Sequence, residues 1–162
     1  MSENLFDNLI VVCAAVIVEP IENKPQALLV RHGEGGEELI WKFCGGKFEK
    51  NDKGLIEAVQ REALEELGIG LEIRRRHPFS VSTDTEESYP EQFIPHDYKD
   101  GPQGRTDLLI VHYWARRVGE IRKSDKIKEA KWIPLDDLWG MPKAENVVPA
   151  LMHLGYSIKG LS

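Results

Sequence analysis

The segment GGKFEKNDKGLIEAVQREALEELGI, Gly45 to Ile69, joins a glycine pair, a polar turn and an apolar ladder. Leu55, Ala58, Val59, Ala63 and Leu67 keep roughly helical spacing. A helix is therefore expected from near Lys53 or Gly54, with Asn51 or Asp52 as its cap. Gly68 supplies the stop, because the left-handed backbone that closes a helix costs little for a residue without Cβ. The helix so delimited has about four turns.

On that helix Glu62, Glu65 and Glu66 stand at positions i, i+3 and i+4 and share one face. Like charges so placed repel by about 0.2–0.5 kcal/mol per pair. They also sit late in the helix, where its dipole disfavours acids. Arg61 alone does not balance them. A divalent cation turns this penalty into binding, and Mg²⁺ prefers carboxylate and water oxygens and shares its shell with phosphates. The plain alternative is a solvated acidic face. Gly45 and Gly46 just ahead of the helix allow tight backbone geometry and close approach of a ligand. A glycine loop leading to clustered carboxylates is more specific than either feature alone.

Outward from this centre, Leu9–Val18 reads as a buried strand, rich in Val and Ile and far short of the roughly 20 residues a membrane-spanning helix needs. Pro20 to Pro25 reads as a turn, Ala27–Val30 as a second strand pairing with the first, and Gly33–Gly36 as a flexible loop. Leu39–Phe43 and Ile69–Ile73 are short and strand-like. Thr83 to Arg105 is a long polar loop, with an extended piece at Gln92–Ile94; loops of that length are often functional. Leu108–Ala115 and Ala130–Ile133 are strands, Leu135–Leu138 a helical turn, and Asn146–Leu154 a final helix. Nothing suggests a repeat or linker, so residues 1–162 are expected to form one domain, a mixed sheet sandwiched by helices.

Composition narrows the function. With 162 residues, 41% apolar and 30% charged, the chain can bury a core without staples. A net charge of −6 argues against bulk nucleic-acid binding, though not against a small phosphorylated ligand. Cys13 and Cys44 form no disulfide framework or zinc pattern and are expected as small core residues, in keeping with a reducing, cytoplasmic setting. The acidic start does not look like a secretory signal, and no membrane association is expected.

Gly46 to Ile69 resembles the Nudix box, G-x5-E-x7-R-E-U-x-E-E-x-G-U with U aliphatic. The half from Arg61 to Ile69 matches throughout, with Ala63 as the aliphatic. The first half departs. Counting back from Arg61, the pattern places its glycine at Lys47 and its first glutamate at Lys53; the glycine is Gly46, so the loop is one residue longer, and Asp52 is the nearest stand-in for the glutamate. A strand pair and Trp41 before the box, and Lys131 to Leu138 after it, fit the same family.

The resemblance implies a Nudix-type α/β/α sandwich with a mixed central β-sheet. It also implies a hydrolase that cleaves a phosphoanhydride bond in a nucleoside diphosphate linked to another moiety: a nucleotide sugar, ADP-ribose, a dinucleoside polyphosphate or a nucleoside triphosphate. Glu62, Glu65 and Glu66, with the Gly46 carbonyl, would hold one to three Mg²⁺ or Mn²⁺ ions. Arg61 would orient a glutamate, with Glu57 as a further partner. The general base is open among Glu62, Glu65, Glu86, Glu87, Glu91, Asp125 and Glu129. Arg31 and Lys47 are candidates for phosphate contact, as are Arg74–Arg76, for which a solvated strand end is the plainer reading. Trp41, Phe79, Tyr89 and Tyr98 are candidates for stacking on a base, with core packing favoured for Trp41. Tyr89 and Pro90 lie where subfamilies carry substrate marks, without fitting one. A catalytically weak nucleotide-binding module and an RNA 5′-end pyrophosphohydrolase are the alternatives. Many relatives dimerise, so a homodimer is allowed, but no stripe marks an interface.

Overall fold

The computed structural model describes residues 9–32, 40–81 and 107–158. Seven strands are present there: β1 (Leu9–Val16), β2 (Val18–Ile21), β3 (Lys24–Arg31), β4 (Lys42–Lys47), β5 (Gly70–Ile73), β6 (Asp107–Val118) and β7 (Glu129–Pro134). Two α-helices, α1 (Leu55–Leu67) and α2 (Val147–His153), and a 3-10 helix at Leu135–Gly140 complete the described elements. The strand order is β2-β3-β4-β1-β6-β5, with β7 on the other side of β3. β1 and β6 run parallel and the remaining pairs antiparallel, so the sheet is mixed as expected.

Both faces of the centre are covered, which is why β1 reads as an unbroken apolar run rather than an alternation. Period-two geometry divides it all the same. Cys13, Ala15 and Ile17 join Leu28 and Val30 on the face where α1 lays down Ala58, Val59, Ala63 and Leu67. Ala14 and Val16 join Leu29 and Phe43 on the opposite face, under Leu138, Val147 and Leu151. Each fully buried Leu or Val contributes about 1.5–3 kcal/mol relative to exposure.

The structure corrects several boundaries. The strand expected over Leu9–Val18 breaks at Ile17 into β1 and β2, so the hairpin forms between β2 and β3. Its turn is Glu22–Asn23 alone, both at positive φ (53° and 64°), the geometry that matches strand twist in a two-residue hairpin. Pro20 and Pro25 are opposed strand residues, not the turn. Helix α1 begins at Leu55 with Gly54 at the cap position and no side-chain cap bond; Asn51 and Asp52 do not cap it. The stop is as expected: Gly68 is left-handed at φ 66° and its N–H donates to the Leu64 carbonyl. The expected loops at 33–36 and 83–105, with the extended piece at 92–94, lie outside the described residues.

Candidate active site

Strand β4 and helix α1 meet where the glycines lie. A Cβ on Gly45 would sit 2.0 Å from the Cys13 carbonyl oxygen, so only glycine lets β4 pass β1 there. A Cβ on Gly46 would sit 2.5 Å from the Glu62 carboxyl carbon. The missing side chain is what leaves room for the Glu62 carboxylate against the end of β4.

Arg61 organises the acidic face. Its Nε and Nη2 donate to Asp52 at 2.8 and 3.0 Å, its Nη1 to Glu62 at 3.0 Å and Glu65 at 3.3 Å, and its Nη2 also to the Lys47 carbonyl at 3.2 Å. Asp52 in turn accepts the Glu49 N–H at 2.8 Å. Asp52 therefore ties the loop to the helix, and the guanidinium beside it holds its carboxyl below the usual range. Gly46 and Asp52 keep the five-residue spacing of the family pattern; the extra residue falls between Asp52 and Arg61. Glu57, read as a partner of Arg61, does not take that part; Asp52, Glu62 and Glu65 do.

The three glutamates differ. Glu66 is buried, 2% exposed. It accepts from Cys44 Sγ at 3.2 Å and the Gly45 N–H at 3.1 Å, and faces His32 Nε2 at 3.4 Å. Burial pushes its carboxyl up to about 7, against the pull of those donors. Burial also raises Glu62, with Arg61 opposing. Glu65 is the most open; its bond to Lys126, at 2.7 Å, lowers it. Cys44 is pushed well above the ordinary thiol value by burial beside Glu66. Both cysteines are buried and free.

Among the described residues, no three His, Cys, Asp or Glu side chains already converge as a metal cage. The reason is visible: Arg61 and Lys126 hold Glu62 and Glu65, while Glu66 is turned to Gly45, Cys44 and His32. The donor chemistry nevertheless suits a hard divalent ion. Glu62 Oε1 and Glu65 Oε2 both point at one cationic nitrogen, Arg61 Nη1, at 3.0 and 3.3 Å, and the side-chain-free Gly46 lies against Glu62.

Other candidates are more scattered. Arg31 is paired with Glu129 at 3.0 Å and stands 5.4 Å over the Trp41 ring, which packs half-buried against the second core. Lys47 enters the Arg61 network through its carbonyl. Arg74 and Arg75 lie over Trp114 at 3.8 and 5.0 Å. Phe79 stacks between His112 and His153. Asp125 is exposed in a turn beside Lys126. Glu86, Glu87, Tyr89, Pro90, Glu91 and Tyr98 lie outside the described residues. The sequence reading missed Cys44 and His32 as neighbours of Glu66, and Lys126 as the partner of Glu65. Cys44 directly precedes the glycine pair and His32 follows the strand-ending Arg31, which are weak signals; Lys126 carries none.

A family model described as NUDIX domain matches residues 11–152. The chain belongs to the NUDIX family. Its enzyme class is that of the Nudix hydrolases. Solved structures agree on the fold. The Nudix domain of Shewanella oneidensis NrtR, complexed with ADP-ribose, superposes with a TM-score of 0.63 at 19% identity, covering 92% of this chain and 88% of that one. A MutT Nudix hydrolase from Burkholderia pseudomallei gives 0.61 at 25% identity, covering 88% and 96%. An Ap4A hydrolase from C. elegans gives 0.62 at 15% identity, covering 89% and 93%. No curated protein sequence matches the chain. No helix among the described residues is long and apolar enough to cross a membrane.

Proposed function

We propose that this Nudix hydrolase is an Mg²⁺-dependent pyrophosphohydrolase, able to use Mn²⁺, that splits a phosphoanhydride bond in a nucleoside diphosphate linked to a second moiety. The observation that carries the reading is the carboxylate face of α1 set against Gly46, with Glu62 and Glu65 aimed at a common cation position. Glu62, Glu65 and Glu66 with the Gly46 carbonyl would hold the ion. When bound, the ion supplies Lewis-acid polarisation of the phosphate and an activated water. Solved relatives whose descriptions name ADP-ribose and Ap4A support a small nucleotide as the partner. The buried free thiols suit a reducing, cytoplasmic setting.

The chain's own part is charge and position. Arg61, fixed by Asp52, keeps Glu62 and Glu65 from drifting apart. Glu62, whose proton affinity burial raises, and Glu65 are the helix candidates for the carboxylate that takes a proton from water. Lys47, whose carbonyl joins the Arg61 network, and Arg31 are the candidates for phosphate contact.

The test is hydrolysis of a panel with Mg²⁺, comparing wild type with Glu65→Gln. The panel holds ADP-ribose, nucleotide sugars, dinucleoside polyphosphates and nucleoside triphosphates. Turnover of at least one member, reduced 100-fold or more in the variant, is expected; an order of about 10²–10³ is usual for losing one such electrostatic group. Tight binding without turnover by wild type would identify a nucleotide-binding module instead.

A further inference from the structure

Of the lysines in the β6–β7 connection, Lys123 donates to the Ser124 and Ile127 carbonyls of its own loop. Lys126 does not. Its Nζ lies 2.7 Å from Glu65 Oε2. The loop that presents it is built, not loose. The Arg122 and Ser124 amides cap the Leu67 and Glu66 carbonyls at the end of α1, at 2.7 and 2.9 Å. Ile127 is buried in the α1-side core, and the Lys128 N–H donates to the Arg31 carbonyl at 2.9 Å. Lys126 is thus held between the end of the carboxylate helix and the strand that carries Arg31. Its ammonium is stabilised by Glu65 first and also by Glu62 and Glu66.

We propose that Lys126 is a phosphate-binding residue that rests on Glu65 until a divalent ion takes that carboxylate, and then turns to the substrate's diphosphate. The inference rests on the reading above that Glu65 holds the ion. An ammonium and a divalent ion drawn to the same carboxylate oxygen repel each other, so each weakens the hold of the other, and the coupling is reciprocal. Lys126 is mostly exposed, and its pair with Glu65 is worth little on its own. Its release therefore costs little, and the freed charge stays tethered beside the ion, where a polyphosphate must arrive.

Opposite signs in two binding measurements separate this from mere structural damage. Mn²⁺ binding without substrate would be followed by paramagnetic resonance of the free ion. Methylenediphosphonate, a diphosphate that cannot be hydrolysed, would be titrated at saturating Mg²⁺. In Lys126→Met, Mn²⁺ should bind about two- to fivefold tighter and the diphosphonate about tenfold weaker, given the reach of one charge at a half-open site. Lys126→Arg should stay within about twofold of wild type for both, since it keeps the charge. Glu65→Gln should weaken Mn²⁺. Unchanged or weaker Mn²⁺ binding in Lys126→Met, or unchanged diphosphonate binding, overturns the assignment of Lys126 while leaving the metal reading intact. Mn²⁺ binding that Glu65→Gln leaves untouched overturns both.

Discussion

Gly45 and Gly46 are neighbours in the chain and constrained for different reasons, which separates stability from catalysis at single-residue scale. The atoms that a Cβ on Gly45 would meet are backbone, the Cys13 oxygen at 2.0 Å and the Ala14 Cα at 2.9 Å. They cannot yield without moving β1 against β4. Gly45→Ala is expected to destabilise the fold by about 1–3 kcal/mol or more, the range for overpacked interiors. The atoms facing Gly46 belong to the Glu62 carboxyl, the free end of a side chain, at 2.5–2.7 Å. Gly46→Ala should therefore leave stability nearly unchanged and move the carboxylate instead. A shift of that kind costs about 10²-fold in kcat/KM when geometry matters at the ångström level. Urea unfolding and turnover of both variants check this; equal stability losses would sink the distinction. Glycine's double entry before the helix was legible as a close-approach signal, but which partner each one met was not. That depends on the β1–β4 register, Ala14↔Gly45 and Cys13↔Gly46, and on where α1 sets Glu62, both long-range facts.

The element that most depends on a tertiary contact is the loop between β4 and α1. Asp52 closes it by gripping both Arg61 on the helix and the Glu49 amide on the loop. Removing that carboxylate leaves Arg61 to swing toward Glu62 and Glu65. Asp52→Ala should lower kcat/KM about 10- to 100-fold, as outer partners of a metal site typically do, and should lower Tm modestly. Asp52→Glu, which restores the side chain of the family pattern, should recover most of the activity; failure of that rescue, with Tm restored, would show that loop closure is not what the carboxylate provides. The same element shows where sequence reading succeeds and stops. The body of α1 and its end at Gly68 follow from local rules, the apolar spacing and the left-handed stop, and both are found. Its start does not. Asp52 before an apolar ladder is a cap by local logic, yet Arg61, nine residues on, outcompetes the helix amides for it. The break of the first strand at Ile17 was hidden for a related reason: a run buried on both faces has no alternation to interrupt. Lys126 was invisible because a lysine in a polar loop carries no pattern until the loop is seen capping α1.

Among the described residues, each of the two cores has one buried group whose titration burial moves within the range between pH 4 and 7, and their proton demands oppose each other across the molecule. On the α1 side, Glu66 has its carboxyl pushed up by burial to about 7 from 4.5. On the α2 side, His112 is fully buried, its Nε2 2.8 Å from the Asn146 amide and its Nδ1 3.0 Å from the Phe79 carbonyl. Burial there pulls the imidazole down from 6.5 to about 4. Between pH 7 and 4.5 the folded chain binds more protons than the unfolded chain at Glu66, so that group makes folding more favourable as pH falls. Between pH 6.5 and 4 the unfolded chain binds more protons at His112, so the stability it contributes is full above 6.5 and is lost as pH falls through 4. Each effect amounts to about 3 kcal/mol at its limit, so the two largely offset in the metal-free protein. The variants should unmask them. In EDTA, Glu66→Gln is expected to steepen the loss of stability from pH 7 to 4.5, and His112→Gln to flatten or invert it, relative to wild type. Urea midpoints across that range read the difference directly, and parallel profiles for all three proteins would contradict it. Mg²⁺ adds a further sign: if Glu66 is a ligand, the ion competes with its proton, so Mg²⁺ should stabilise wild type more at pH 8 than at pH 6 and Glu66→Gln by an amount that varies less with pH.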